Sequence, residues 1–205
     1  MRTRHIVLAI TGASGSVYGI RLAGELLKSG ARLTLLLSRT GAAVLKSECG
    51  IDWEGDEVTA TQAMREYFQV DTDRLCHHAV DNLFAPIASG SSAPDALVIC
   101  PCSMGTLGRI AAGISGNLIE RSADVMLKER RPLIIVPRET PLHEIHLENL
   151  LKLSRMGARI VPAMPAFYHG PRSMRDLVDF VVGKVLDSMG IEHQLFKRWG
   201  AQPEE

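Results

Sequence analysis

The sequence predicts an α/β fold in which a parallel sheet carries helices on both faces. Three observations lead there. Short β-branched and aliphatic runs alternate along the chain with longer amphipathic stretches. Those runs are apolar on both sides, which suits strands covered above and below. Turns rich in glycine and serine follow the runs, where a strand must hand over to a helix.

The first predicted strand is HIVLAI at 5–10, followed by a helix over 16–29. RLTLLL at 32–37 is the second, with a helix over 40–48. The stretch from Asp52 to about Arg74 carries many charges and interrupts the rhythm, so it reads as a surface excursion containing a short helix. ALVIC at 96–100 resumes the pattern, with helices over 104–112 and 118–130; PLIIVP at 132–137 precedes a helix over 143–156. ARIVP at 158–162 and a helix over 173–188 complete it. In 118–130, Ile119, Ala123 and Met126 fall on one side while Glu120, Asp124, Lys128 and Arg131 fall elsewhere. Gly30 and Gly157 sit just past helices, where a left-handed C-cap is needed.

A chain of 205 residues with 46% hydrophobic content has the length and composition of one compact domain, and it shows no repeat or interdomain linker. Basic and acidic residues number 23 each, so no global field favours nucleic acid or an anionic membrane. The apolar run Ile6 to Ile10 ends at a Thr-Gly turn and is too short for a signal peptide. No other segment approaches the roughly 18 apolar residues of a membrane span, so a cytoplasmic location is expected. Cys49, Cys76, Cys100 and Cys102 lack zinc-site spacing and read as buried or idle thiols. The pairs His77/His78 and His143/His146 have no third ligand spaced to join them, so no metal site is expected.

Open α/β sheets bind ligands at the carboxyl ends of their strands, where helix N-termini aim free amides at an anion. After the first strand, TGASGSVYG (Thr11 to Gly19) offers Gly12 and Gly15 for a tight turn and Ser14 for a hydroxyl. It is not the GxGxxG dinucleotide fingerprint. Ser38 is a predicted N-cap after the second strand, and PCSMGT (Pro101 to Thr106) makes another strand-to-helix turn with Ser103 and Thr106 near the first amides. Two such turns suggest a phosphorylated cofactor, and no Walker-type sequence points to a nucleoside triphosphatase. Arg121, Lys128 and Arg138 form a cationic set, and Glu139 beside Arg138 is a candidate acid or base. The small-residue loop ASGSSAP at 88–94 lets backbone amides approach a ligand closely.

Together these pieces resemble the UbiX-type flavin prenyltransferases, formerly labelled aromatic acid decarboxylases. The likeness runs through TGASGSVYG, SGSSAP, CPCSMGT, LIERSADVMLKERRPLIIVPRETPLHEIHLENL and PAFYHGP to LFKRWG. It implies a flavodoxin-like, Rossmann-like three-layer fold over 1–205, with a C-terminal tail (about 189–205) packing near the active site. It also implies a homododecamer without a metal, which holds FMN and dimethylallyl phosphate where subunits meet. The FMN contacts it implies are Gly12, Ala13, Ser14, Ser38, Ser103, Met104, Gly105, Thr106 and Arg138. For the prenyl phosphate it implies Tyr168 and Lys184, with Ser89, Gly90, Arg121 and Lys128 as neighbours. Lys184 stands where some members have Arg, and Leu83 where some have an aromatic ring.

The implied reaction begins as phosphate leaves dimethylallyl phosphate. Reduced FMN takes the allylic cation at N5, and a bond to C6 closes a new ring. Ser14, Glu48 and Glu139 are the implied catalytic residues, and Glu48 is also readable as a plain helix-surface residue. The product would serve a UbiD-type decarboxylase. A flavin-dependent cysteine decarboxylase of the same fold is the rival, but that group carries PASANT-like and PxMNxxMW-like segments where this chain has PCSMGT and PAMPAFY. A flavin carrier without catalysis is a second rival, and it leaves the separated charged set unexplained.

Overall fold

The structure, a computed structural model, describes residues 3–71 and 73–200. Its first half contains strand β1 (His5–Ile10), helix α1 (Ser16–Lys28), β2 (Arg32–Leu37), α2 (Arg39–Cys49), α3 (Glu57–Phe68) and β3 (Leu75–His77). The second half contains β4 (Ala96–Cys102), α4 (Met104–Ala111), α5 (Leu118–Lys128), β5 (Leu133–Pro137), α6 (Glu144–Arg155), β6 (Arg159–Ile160) and α7 (Met174–Met189). All neighbouring strands pair in parallel, in the order β3-β2-β1-β4-β5-β6. Without the three-residue edge strand β3, the other five run in the flavodoxin order, with the switch point between β1 and β4.

Alternation along β1 explains the three layers. Ile6, Leu8 and Ile10 point into one core, with Leu22 and Leu26 of α1, Leu45 of α2, Met64 of α3 and Val181 and Val185 of α7. Val7 and Ala9 point into the other, with Leu107 of α4, Met126 of α5 and Leu153 of α6. The residues Ile6 to Ile10 are all fully buried, as a central parallel strand demands. Each large aliphatic buried this completely contributes about 1.5–3 kcal/mol against the entropy of ordering the chain.

The predicted strands at 5–10 and 32–37 coincide with β1 and β2. β3 lies outside the predicted strands. It is three residues long, and its sequence LCH shows no alternation that would set it apart from the charged excursion before it. That excursion is more structured than expected, because α3 buries Ala60, Thr61 and Met64. β4 continues two residues past the predicted end at Cys100, through Pro101 to Cys102. Gly30 and Gly157 do take positive φ beyond their helices. On α5, Ile119, Ala123 and Met126 are buried as expected, but so is Glu120, which the periodicity places off the apolar side.

Candidate active site

At the switch point the chain leaves β1 and β4 toward opposite faces, and a crevice opens over the strand ends. Thr11 joins the two turns. Its Oγ1 donates to the Pro101 carbonyl at 2.9 Å and accepts from the Ser103 amide at 2.8 Å. Ser38 caps α2, accepting from the Gly41 amide at 2.9 Å, and Ser103 caps α4, accepting from the Thr106 amide at 3.3 Å. The two capped helices thus point their N-termini at one place.

A cavity of about 330 Å³ lies there, bordered by Gly12, Ser38, Thr40, Ser103, Thr106 and Arg109. A Cβ on Gly12 would fall 2.6 Å from Thr40 Cβ, so only glycine lets the β1 turn approach α2 this closely. Two helix N-termini, three further hydroxyls besides the Ser38 cap and two guanidiniums, of Arg39 and Arg109, fit a phosphate-bearing cofactor such as FMN. Ser38, Ser103 and Thr106 are expected here from sequence, whereas Thr40, Arg109 and Asn117, which also border this cavity, are not. Arg109 has a readable signal, as the one charge on the short, small-residue helix α4. Its Nε donates to the buried carboxylate of Glu120, which also accepts from the Gly116 amide at 2.9 Å.

A second group gathers on the β1–α1 turn. Glu48 of α2 accepts from the amides of Gly15 at 2.9 Å and Ser16 at 3.0 Å. Burial would raise its pKa, but the Ser14 hydroxyl, those two amides and the Arg138 charge outweigh it and hold the carboxyl below its ordinary range. The Gly15 and Ser16 amides at the start of α1 are therefore taken. Arg138 Nε donates to the Ser14 carbonyl at 2.8 Å, so the guanidinium braces the turn from the end of β5. Glu139 is exposed and accepts from the Thr140 amide at 3.0 Å.

The expected prenyl-phosphate residues fall into two further groups. Arg121 Nε donates to the Ala88 carbonyl at 3.0 Å, which fixes the loop carrying Ser89 and Gly90 beside α5. Lys128 pairs with Glu129 at 2.6 Å, and a Cβ on Gly90 would meet both of these side chains. Tyr168 and Lys184 lie elsewhere, in an aromatic cluster packed against α7, which carries Lys184 and Phe180. Tyr168 packs edge-on to Phe180 and Trp199, with centroids 5.8 and 5.2 Å apart. The Lys184 ammonium stands 5.7 Å from the Phe180 centroid and 5.5 Å from that of Phe196. Phe196 belongs to the C-terminal tail, and Gly183 provides the space for its ring; residues 201–205 of that tail lie outside the described residues. Leu83 is half-exposed, and the aromatic ring at this loop is its neighbour Phe84, 100% exposed.

The Flavoprotein family model matches residues 1–186 of the chain. A flavin prenyltransferase UbiX of Halalkalibacterium halodurans is 53% identical over 195 residues, covering 95% of this chain and 93% of the relative. Among solved structures, AnUbiX (PadA1) in complex with FMN and dimethylallyl pyrophosphate has a TM-score of 0.86 at 39% identity, covering 98% of this chain and 100% of that one. A dodecameric FMN-dependent UbiX-like decarboxylase from Escherichia coli O157:H7 has a TM-score of 0.84 at 37% identity, covering 96% of this chain and 100% of its own. The peptidyl-cysteine decarboxylase EpiD, at 15% identity and a TM-score of 0.59 over 92% of this chain and 99% of its own, shares the fold alone.

Proposed function

The chain belongs to the Flavoprotein family and, within it, to the flavin prenyltransferases, and we infer that it transfers a dimethylallyl group from dimethylallyl phosphate to reduced FMN. One observation carries this reading. In a chain 53% identical to a flavin prenyltransferase, the cavity between the N-termini of α2 and α4 is accompanied by two basic side chains beside the Ser89–Gly90 loop, Arg121 paired with Asp124 and Lys128 paired with Glu129. A flavin carrier needs the first of these and not the second. The segments PCSMGT and PAMPAFY, together with the distance from the cysteine decarboxylase in sequence, disfavour that rival.

FMN, when bound and reduced, supplies the N5 and C6 positions that accept the prenyl carbon chain. The residues of this chain do the rest. Ser38, Thr40, Ser103 and Thr106 hold the FMN phosphate, and Gly12 admits it close to the backbone. Met104 and Gly105 offer the first amides of α4, and Ala13 shapes the β1 turn. Glu48, which also takes the Ser14 hydroxyl, and Arg138 keep that turn in place, and Ser14 would stand beside the reacting ring of the bound flavin. Arg121 and Lys128, next to Ser89 and Gly90, balance the charge growing on the departing phosphate. Tyr168 and Lys184, both exposed in the single chain beside the aromatic rings of Phe180 and Phe196, contact the donor. Glu139, exposed and held by the Thr140 amide, handles the proton released as carbon bonds form.

The helices that carry Arg121 and Lys128 on one side, and Lys184 on the other, pack on opposite faces of the sheet. That division supports a site closed by more than one copy, in a dodecamer like the Escherichia coli neighbour. Phe84 is then a ring presented to another subunit, and the tail from about 189 packs beside the donor. No helix among the described residues is long and apolar enough to cross a membrane. We place the enzyme in the cytoplasm, with a UbiD-type decarboxylase as consumer of its product. Phosphate release from dimethylallyl phosphate, measured with and without reduced FMN, tests the assignment, and the pyrophosphate carried by AnUbiX is the second donor to compare. Release should require reduced FMN. Equal release without flavin would contradict it.

A further inference from the structure

Prenyl transfer gives no part to Glu120, a carboxylate only 1% exposed that stands behind the cavity at the N-termini of α2 and α4. Its surroundings fix it closely. Oε2 accepts from the Gly116 amide at 2.9 Å, and the Glu120 amide donates to the Asn117 side chain, the N-cap of α5, at 3.0 Å. The Leu118 amide donates to the Val80 carbonyl at 2.7 Å, and Val80 and Asn117 both border the cavity. Oε1 is the remaining acceptor, and it takes Arg109 Nε. A bare carboxylate behind an anion site repels the anion unless a cation stands between them. Arg109 is that cation.

The guanidinium is used on one side only. Nε is committed to Glu120, while the terminal nitrogens have no hydrogen-bond partner among the described residues. Arg109 belongs to the last turn of α4, yet its side chain runs back along the helix: a Cβ on Gly105, in the first turn, would stand 3.7 Å from Nη1. The half-exposed side chain thereby borders the cavity beside the Ser103 and Thr106 hydroxyls. Two other arginines are placed differently. Arg39 also borders the cavity, but it is exposed and makes no hydrogen bond or ion pair among the described residues, so a ligand must order it. Arg138, to which the sequence points, donates to the Ser14 carbonyl and does not line this cavity.

We propose that Arg109 is the cation that distinguishes a flavin phosphate from the terminal hydroxyl of riboflavin, with Glu120 as the residue that positions it. The proposal rests on the FMN reading above. Glu120 holds Nε, so the terminal nitrogens are left to meet the phosphate as a fork. Pairing reduces the net charge that the phosphate meets, but the side chain enters the complex already ordered. Lysine has no equivalent. Its single ammonium, once paired with Glu120, has no second side to offer the ligand.

The test is the ratio of FMN to riboflavin affinity in the full-length protein, read by quenching of flavin fluorescence at fixed salt, with folding checked by circular dichroism. Arg109→Gln should lower that ratio by about tenfold or more, the worth of one charge-assisted hydrogen bond to phosphate, by weakening FMN and sparing riboflavin. Arg109→Lys should fall with it, to within about threefold of the Gln variant. Because the Lys variant keeps an ion pair for buried Glu120, it gives the answer if Arg109→Gln does not fold. Arg39→Gln should lower the ratio less than either, and Arg138→Gln should weaken both flavins alike by loosening the turn at Ser14. A wild-type ratio in folded Arg109→Gln, or a larger fall in Arg39→Gln, would overturn the role of Arg109. A wild-type ratio in Arg109→Lys would overturn the positioning by Glu120. Equal binding of both flavins by the unaltered protein would instead remove the phosphate site on which the proposal rests.

Discussion

Gly19→Ala is expected to destabilise the protein, although alanine is the better helix former. Gly19 lies where α1 crosses β4, and a Cβ there would stand 2.5 Å from the Cys100 carbonyl oxygen and 2.8 Å from Ile10 Cγ1. Ordinary contact begins near 3.4 Å, and both neighbours are fixed in the sheet. The helix must therefore retreat by close to 1 Å in a core packed without spare volume. Overpacking of this kind costs about 1–3 kcal/mol, and the gain in helix propensity returns at most about 1 kcal/mol. A net loss of about 1–2 kcal/mol lowers Tm by roughly 2–8 °C in a domain of this size. Gly24→Ala is the control, since it sits on the same helix with nothing within 4 Å of the added Cβ. It should raise Tm slightly. Circular-dichroism melts of both variants beside the wild type decide the matter. If Gly19→Ala melts at or above the wild type, the close approach of α1 to β4 does not constrain this turn.

Three further outcomes follow from the site. Glu48→Gln should cost about 0.3–1 kcal/mol at neutral pH, the usual contribution of an exposed carboxylate at a helix N-terminus. Because the folded-state pKa of Glu48 is depressed, its stabilisation is present above the unfolded-state pKa and disappears as pH falls through the folded-state value. The gap between wild type and variant in denaturant titrations should thus close below the ordinary carboxylate range; a gap that widens in acid would refute the role. Glu139→Gln should keep FMN affinity while slowing product formation by about 10²–10⁴-fold, and a wild-type rate in stopped-flow absorbance would remove Glu139 from the chemistry. FMN should bind well above riboflavin, by roughly 1.5–3 kcal/mol for each charge-assisted hydrogen bond that only the phosphate can accept. Equal affinities in fluorescence titrations would exclude the cavity at α2 and α4 as the phosphate site.

Much of this architecture is legible in the chain before folding. β1 and β2 can be read because unbroken aliphatic runs between turn residues suit only a strand buried on both faces. Ser38 and Ser103 can be read as caps because capping depends on local sequence. β3 is hidden because three residues carry no periodicity, and Pro101 masks the end of β4 by looking like a terminator. Glu120 illustrates a different limit: its burial depends on Arg109, which reaches it from another helix. Thr40 enters the site only through the alignment of strand ends, which no local pattern records. The placing of Arg121 and Lys184 on opposite faces of the sheet is likewise a consequence of topology, invisible to spacing along the chain.

The most direct measurement of prenyl transfer is the mass of the flavin itself. Reduced FMN is incubated anaerobically with the enzyme and dimethylallyl phosphate, the flavin is extracted, and its mass and fragments are recorded. The account predicts a flavin one C5H8 unit heavier than reduced FMN, with the added carbons on the isoalloxazine ring and one inorganic phosphate released for each flavin converted. Recovery of unmodified FMN under conditions where the flavin is bound and reduced would contradict the assignment.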